Sequence, residues 1–409
     1  VLGVHPTATD GQAAAQAPIN LHNLGRVRVL RALTENPRLS RAELVRRTGL
    51  ARATVGSVVV DLIAAGLVQE TSDATPSGQR AGRPPQLVSL NPDAAYAVGL
   101  DVGHDHVRAI LTDVVGTSRW DRSVAIPVDD DPDRALDTAV RLVTSAIDDM
   151  SVPAERILGL GLGIACPIDK ATGALHAEGI MPGWVDRKPA GELQTRTGLP
   201  TQIINDANAG VLAERRFGAA RDCANVVYVR LAAGIGAGMV SDGRMLLGHL
   251  GLAGELGHVT VELNGAMCRC GSRGCLETVA SPAAITNLLA TSWGQPASQI
   301  DLADLLQRRD RGTIRAVEDA GEAVGRALSA AVSLLNPELV VIGGDLVAAG
   351  DTLLEPMRRT LRRGTMGSLQ QRLRIVPSML GDSAGVRGAA ALVLDGVPER
   401  LGLDLPAGR

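Results

Sequence analysis

Lysine is nearly missing from this chain: of 41 basic residues only Lys170 and Lys188 are lysines, and the other 39 are arginine. Neither lysine stands in a G-x-x-x-x-G-K-[ST] context, so a Walker-type phosphate loop is excluded. No uncharged apolar run reaches the ~18 residues that a membrane-spanning helix needs. Residues 1–18 lack the basic-then-apolar layout of a secretory signal. These absences lead to the expectation of a soluble, cytoplasmic protein with no membrane partner. Net charge is also scarce, −3 over 409 residues, which taken alone argues against a nucleic-acid binder. What is present is ordinary: 45% hydrophobic and 21% charged residues exclude wholesale disorder, and the length allows two or three domains.

The charge is unevenly spread. Residues 1–18 are small, polar and aperiodic, with Asp10 their one charge, and are expected to form a disordered tail. Residues 19–91 hold ten arginines against five acidic residues, a local +5, which leaves −7 for residues 92–409. The basic head reads as three helices and a hairpin. The first helix is expected over Leu24–Thr34. Ser40 and Glu43 then form a capping box, with Leu39 able to staple onto Leu44, and Gly49 closes that helix. A third helix follows from Arg52 to Ala65, its apolar stripe made by Val55, Val58, Val59, Leu62 and Ile63, and Gly66 stops it. Two helices joined by a short glycine turn are a helix-turn-helix.

Away from the stripe, near the N-terminus of that third helix, lie Arg52, Thr54, Gly56 and Ser57. A recognition helix presents base-reading side chains there. Strands over 67–70 and 86–90 flank a loop with Gly78, Arg80, Gly82, Arg83 and Pro84, which makes the head a winged helix-turn-helix. Its expected DNA contacts are Arg52, Thr54, Ser57, Arg80 and Arg83. Ala51 stands where a serine cap is expected, at a cost of about 1 kcal/mol in helix start. The bland alternative is a protein-interaction module with a solvated arginine face.

The body, 92–409, alternates strand and helix signals, as an α/β fold does. Strands are expected at 97–102, 107–112, 123–128 and 158–164, and helix at 134–149. A second half begins near 207–225, with strands at 225–231, 238–241 and 339–342 and a helix at 316–335. Two comparable halves suggest duplicated lobes around a cleft, where α/β proteins bind ligands.

Three constellations carry chemistry. Of the five cysteines, Cys268, Cys270 and Cys275 crowd together beyond Gly254-Glu255-Leu256-Gly257-His258, while Cys166 and Cys223 sit among apolar residues and are expected in the core. Three thiolates and one imidazole make a closed tetrahedral Zn2+ site with no position for water, structural instead of hydrolytic. Chance clustering is the alternative. Gly271 and Gly274 let so short a loop fold round the ion, and the site fixes Glu255 and Glu277 relative to each other. Second, Asp206 of Asn205-Asp206 can act as a general base towards a substrate hydroxyl, or simply bind a sugar hydroxyl. Third, Ala232-Ala233-Gly234-Ile235-Gly236 can cradle phosphate with backbone N–H groups, but neither it nor Gly159-Leu160-Gly161-Leu162-Gly163 fits G-x-G-x-x-G.

The order of these motifs resembles the ROK family (repressors, open reading frames, sugar kinases), with the winged head of its repressor branch. The resemblance covers residues 19–395. It rests on Gly82-Arg83-Pro84, Pro182-Gly183-Trp184, Asn205-Asp206, Gly254-Glu255-x-x-His258, the C-x-C-G-x-x-G-C-x-E block and Gly343-Gly344. It implies a two-lobed actin-like ATPase body of duplicated ribonuclease H-like halves. It also implies zinc on His258, Cys268, Cys270 and Cys275, and a sugar pocket lined by Asn205, Asp206, Glu255, His258 and Glu277.

Departures from the family's kinases shape the expected function. Where kinases open with Asp-x-Gly-Gly-Thr, this chain has Asp101-Val102-Gly103-His104-Asp105, and an extra carboxylate repels phosphate. Where they carry Gly-Thr-Gly, it has Ala232-Ala233-Gly234. Ile180 stands where sugar sites of the family often place Asn. The expectation is a sugar-responsive transcriptional regulator, a repressor of carbohydrate-utilisation genes. It binds operator DNA as a homodimer or homotetramer and has no catalytic residue, Asp206 being the retained kinase-type base position. The alternatives are a sugar kinase with an appended DNA-binding head, and a regulator controlled by a protein partner.

Overall fold

Helix starts and stops organise the first unit. After helix α1 (Leu21–Glu35) come strand β1 (Leu39–Ser40) and helix α2 (Arg41–Thr48). At the start of α2 the Ser40 hydroxyl accepts from the Glu43 N–H, and the Glu43 carboxylate accepts from the Ser40 N–H at 2.8 Å. Those Ser40 bonds hold the Glu43 pKa below the usual carboxylate range. Gly49 ends the helix at φ +68°, a conformation that L side chains rarely adopt. Helix α3 (Arg52–Ala64) buries Val55, Val58, Val59 and Leu62. Ile63, expected on that stripe, is instead 37% exposed. Eight residues of helix carry it about 80° round from Val55, to the stripe's edge.

Strands β2 (Val68–Ser72) and β3 (Gln86–Leu90) pair antiparallel, and β1 adds to the other side of β3. The head therefore has a three-stranded sheet where a hairpin was expected. Two residues are too few for alternation to announce a strand. The computed structural model describes residues 21–72, 86–308 and 310–403. Arg80 and Arg83, with the rest of the expected wing, lie outside the described residues, as does the expected tail.

The second unit, Ala95–Asp395, is built twice on one plan. Its first half runs β4 (Tyr96–Val102), β5 (His106–Asp113), β6 (Ser118–Ala125), α4 (Pro132–Met150), β7 (Ile157–Ile164), α5 (Pro189–Thr197) and β8 (Thr201–Asn205). After α6 (Asp206–Phe217) the second half follows with β9 (Val226–Leu231), β10 (Ile235–Ser241), β11 (Arg244–Met245), α7 (Glu277–Ala280), α8 (Pro282–Trp293), α9 (Leu302–Arg308), α10 (Arg311–Leu335), β12 (Leu339–Gly343), α11 (Asp351–Gly364), α12 (Gly367–Gln370), β13 (Arg374–Pro377) and α13 (Ala384–Leu394). The sheets are ordered β6-β5-β4-β7-β8 and β11-β10-β9-β12-β13. In each, the central strand pairs antiparallel on one side and parallel on the other. Edge strand β6 lies several residues before its expected place at 123–128, because most of its side chains are exposed and carry no apolar alternation.

Helix α6 rests on β9 and β10, α13 on β4 and β7, and the two helices on each other, so the lobes meet across this pair. Glycine permits the approach. A Cβ on Gly161 of β7 would stand 1.9 Å from the Ala389 carbonyl oxygen, and one on Gly388 would stand 1.8 Å from that of Ala209. Gly161, at the centre of the 159–163 run, thus serves helix-on-sheet packing inside a buried strand.

The C-terminal helix α14 (Val397–Leu403) belongs with the head's unit, not with the body as the sequence reading has it. Gly402 lies against Val27 of α1, and Glu399 pairs with Arg31. A helix this short gains its stability from whichever apolar face it covers, and its own pattern does not name that face. Among the described residues no helix is long and apolar enough to cross a membrane.

Candidate functional site

The cleft is organised where β8 becomes α6. Asn205 caps the helix: its side-chain oxygen accepts from the backbone N–H of Ala207 at 3.0 Å and of Asn208 at 3.3 Å. Its amide donates to the Cys166 carbonyl and to Asp206 Oδ1. Asp206 Oδ2 accepts from Arg230 Nη1 at 2.8 Å. Burial pushes the Asp206 carboxyl pKa up, and the Arg230 charge pulls against it. Burial likewise works against the Arg230 cation, but Asp206 and then Asp101 outweigh it. Sequence reasoning missed Arg230. The signal was one charge inside the otherwise apolar strand Val226-Val227-Tyr228-Val229-Arg230-Leu231.

Asn205, Asp206, Glu255, His258 and Glu277 all line one cavity of about 50 Å³, together with Arg230, Arg269 and Ile180. Arg269 Nε donates to Glu277 Oε1 at 2.9 Å, and the Ile235 N–H to Glu277 Oε2 at 3.1 Å. Burial, then the neighbouring Asp206 and Glu277 charges, raise the Glu255 pKa to about 7. Cys166 is fully buried, as expected, yet it also borders the cavity. Burial pushes its thiol up to about 12, which keeps it protonated and unreactive. Cys223 is buried elsewhere and accepts from Arg374 at 3.3 Å.

His258, Cys268, Cys270 and Cys275 converge so that their ligand atoms all lie within 4.8 Å of one another. Cys270 and Cys275 sulfurs stand 3.7 Å apart, and Cys268 Sγ is 3.6 Å from His258 Nδ1. Two thiolates ~2.3 Å from one tetrahedral ion stand about 3.8 Å apart, and a thiolate and an imidazole nitrogen about 3.5 Å. The donor set and spacing therefore suit a metal ion. Gly271 and Gly274 both take positive φ, +86° and +64°, and a Cβ on Gly274 would stand 1.6 Å from the Glu262 carbonyl oxygen.

A second chamber of about 330 Å³ shares His104, Ala165 and Arg230 with the first. Its wall carries Asp101, Asp105, Asp345 and Asp382. The His106 ring packs against Gly103, where a Cβ would meet it at 2.3 Å. His106 Nε2 is 3.6 Å from Asp101 and its Nδ1 is 2.8 Å from Asp105. The bond to Asp101 leads in raising the His106 pKa to about 9, against burial. The expected extra carboxylate of Asp105 is thus set against an imidazolium at neutral pH. Sequence reasoning did not single out His106.

The raised His106 pKa has a pH signature. Its interaction with the two carboxylates is fully present below pH 6.5 and is lost as pH rises through about 9. After a discount for solvent screening we expect roughly 1–2 kcal/mol. In urea unfolding, His106→Gln should be less stable than the wild type by that amount at pH 6 and equal to it at pH 10. A difference that stays constant over this range contradicts the pairing.

In the head, Arg52 and Ser57 of α3 are exposed and Thr54 is half-buried. Ala51 provides no side-chain cap, and a cation at the first helical position opposes the helix dipole. Local rules broken at one helix end are characteristic of functional positions. Exposed Arg46 and Arg47 in the last turn of α2 stand on the helix that crosses the DNA backbone in helix-turn-helix proteins, and sequence reasoning left them out.

Comparison with known proteins agrees with this anatomy. The ROK family model matches residues 97–396, and the MarR family model residues 22–76. The chain is 31% identical over 367 residues to a protein named xylose repressor from Bacillus subtilis (strain 168), covering 90% of this chain and 94% of that one. It is 37% identical over 257 residues to a glucokinase from Thermotoga maritima, covering 59% of this chain and 80% of the kinase. A crystal structure described as a ROK family transcriptional regulator, a homologue of the Escherichia coli MLC protein, superposes with a TM-score of 0.77 at 27% identity. That superposition covers 94% of this chain and 100% of the other. One family model spans nearly the whole two-lobed unit, and relatives match both head and body, so the chain belongs to the ROK family.

Proposed function

We propose that this protein is a sugar-responsive transcriptional repressor of carbohydrate-utilisation genes, acting in the cytoplasm. The observation that carries the reading is the union, in one chain, of a basic winged-helix head and a carboxylate-lined cleft. Arg52, Thr54, Ser57, Arg80 and Arg83 contact operator DNA. Asn205, Asp206, Glu255, His258 and Glu277 hold a sugar or sugar derivative. Two heads of a homodimer, or pairs within a homotetramer, read two half-sites of a pseudo-palindrome.

The cleft cavity of about 50 Å³ is far below the ~300–1,000 Å³ usual for small-molecule sites. A sugar must therefore widen it, and a ligand that binds only the wider state shifts the body's population towards that state. Reciprocity then requires sugar and operator to weaken each other by the same factor. Asp206 serves as a binding group and takes no proton from a phosphoryl-acceptor hydroxyl, since it is paired with Arg230. His106 covers the turn that kinases give to phosphate, and Ala233 lacks their hydroxyl, so we expect no sugar kinase turnover. His258, Cys268, Cys270 and Cys275 would hold a structural Zn2+, which supplies closure of the loop and no chemistry.

Fluorescence anisotropy of the full chain on its gene's own upstream DNA tests the reading, with a panel of pentoses and hexoses. We expect tighter binding than to random DNA at matched salt, weakened by one sugar of the panel. Equal affinity for both DNAs contradicts it. Coupled ADP release with the same sugars, abolished in Asp206→Asn, would replace it by a kinase with an appended head.

A further inference from the structure

Phe217, the chain's one phenylalanine, ends α6 and borders a cavity of about 380 Å³ that shares no residue with the cleft or the second chamber. The Arg387 guanidinium of α13 stacks 4.8 Å from the centre of its ring, and Arg216 stands 5.7 Å away. The two arginines differ in how their charges are matched. Arg216 donates to Asp395 at 2.7 Å. Arg387 has one long bond, Nη2 to the Gly116 carbonyl at 3.4 Å, and its buried Nε has no hydrogen-bond partner.

Arg221 faces the same cavity from the segment after α6, is exposed, and makes no ion pair among the described residues. Asp121 also borders the cavity, but Arg108 holds it with two bonds of 2.9 and 2.8 Å. The cavity thus gathers two guanidinium groups, neither of which makes an ion pair among the described residues. Burial, and then the Arg221 charge, push the Arg387 pKa down and outweigh the pull of Asp121 and Glu214. The aromatic wall is fixed, because Gly116 at φ +87° brings the β5–β6 turn so near that a Cβ would stand 2.2 Å from the Phe217 ring.

We propose that this cavity is a second ligand site, which binds the phosphoryl group of a small phosphorylated metabolite between Arg221 and Arg387. Two guanidinium forks match the charge and the oxygen count of a phosphate dianion, whereas one carboxylate leaves a cation unanswered. A volume of about 380 Å³ exceeds what a bare phosphate needs and leaves room for the organic part. The aromatic ring under Arg387 restricts the orientation of its planar guanidinium. The bound group bridges α13, one of the two helices across which the lobes meet, to the segment that follows the other, α6.

The full chain is titrated with inorganic phosphate and with glycerol 3-phosphate, at ionic strength balanced by NaCl, and followed by thermal shift and 31P NMR line width. We expect saturable stabilisation by both phosphates and none by glycerol or NaCl. Arg221→Gln should weaken the binding roughly tenfold or more. Arg387→Gln should do the same. If that variant fails to fold, the exposed Arg221 carries the test. Equal shifts in NaCl, or unchanged binding in Arg221→Gln, overturn the site. Tighter binding of citrate than of either phosphate, lost in Arg221→Gln, overturns the phosphoryl assignment.

Discussion

Asp206→Ala should cost the body about 3–5 kcal/mol, because it leaves Arg230 buried beside a cavity with no direct ion-pair partner. The side chains of this pair are only 15% and 22% exposed, and the Nη1–Oδ2 bond at 2.8 Å is the one direct ion pair that Arg230 makes among the described residues. Removing an exposed partner would cost a fraction of that. The unfolding temperature should fall by roughly 5–10 °C. A second change distinguishes a stranded charge from a lost contact. Arg230→Met in the Asp206→Ala background should recover most of the loss, since the uncompensated cation is then gone and an apolar side chain of similar length fills its place. Asp206→Asn should fall between, because the amide oxygen can still accept from Arg230 and Ala207. If Asp206→Ala and the double variant unfold at the same temperature, the pair is not coupled and the cleft is held together by other groups.

The prediction also bears on function. In a kinase-type site the aspartate must be free to take a proton, which an arginine at hydrogen-bond distance opposes. In a receptor the same pair is useful: Oδ1 already accepts from Asn205 and Ala207, and the Arg230 bond fixes Oδ2 so that its remaining lone pair can accept from a sugar hydroxyl. Sugar affinity should therefore fall in Asp206→Ala together with stability, while DNA affinity without sugar should persist at temperatures where the body remains folded.

How far the sequence could be read follows from the range of the interactions involved. The Ser40–Glu43 box, the Gly49 and Gly66 stops and the β3 strand are local, set by residues within one turn or one strand, and they stand where they were expected. The Cys/His cluster was equally legible, since three of its four donors lie within eight residues and glycines supply the turns. What stayed hidden depends on distant partners. Arg230 acquires meaning only against Asp206, 24 residues away. His106 does so only when its ring folds back on Gly103, and α14 only when Val27 of α1 is beside it. Gly161 of β7 was visible, but its purpose, the approach of α13 from the far end of the chain, was not.

The metal cluster yields the other large effect. Wild-type protein should carry about one zinc ion per chain, and Cys275→Ser should carry almost none, because structural zinc sites depend on all four donors and bind with about 10–16 kcal/mol of apparent free energy. The consequence should reach the cleft. Cys275 stands two residues before Glu277, the first residue of α7, and Leu276 between them donates its N–H to the Val259 carbonyl, next to His258. The donors thus tie the turn bearing Glu255 and His258 to the helix bearing Glu277, two segments otherwise joined by little more than backbone bonds and the Thr260–Cys275 bridge. Without the ion the buried thiol of Cys268 and the ring of His258 lose their common partner, and the loop of 259–276 should become open to protease. We therefore expect Cys275→Ser to show a lower unfolding temperature, rapid cleavage within that loop, and loss of the sugar response with DNA binding retained. Cys223→Ser, outside the cluster, should keep its zinc. Elemental analysis beside limited proteolysis separates the possibilities: zinc lost with the loop still resistant would mean that the hydrogen bonds alone hold Glu277, and zinc retained would mean that the cluster is not the site.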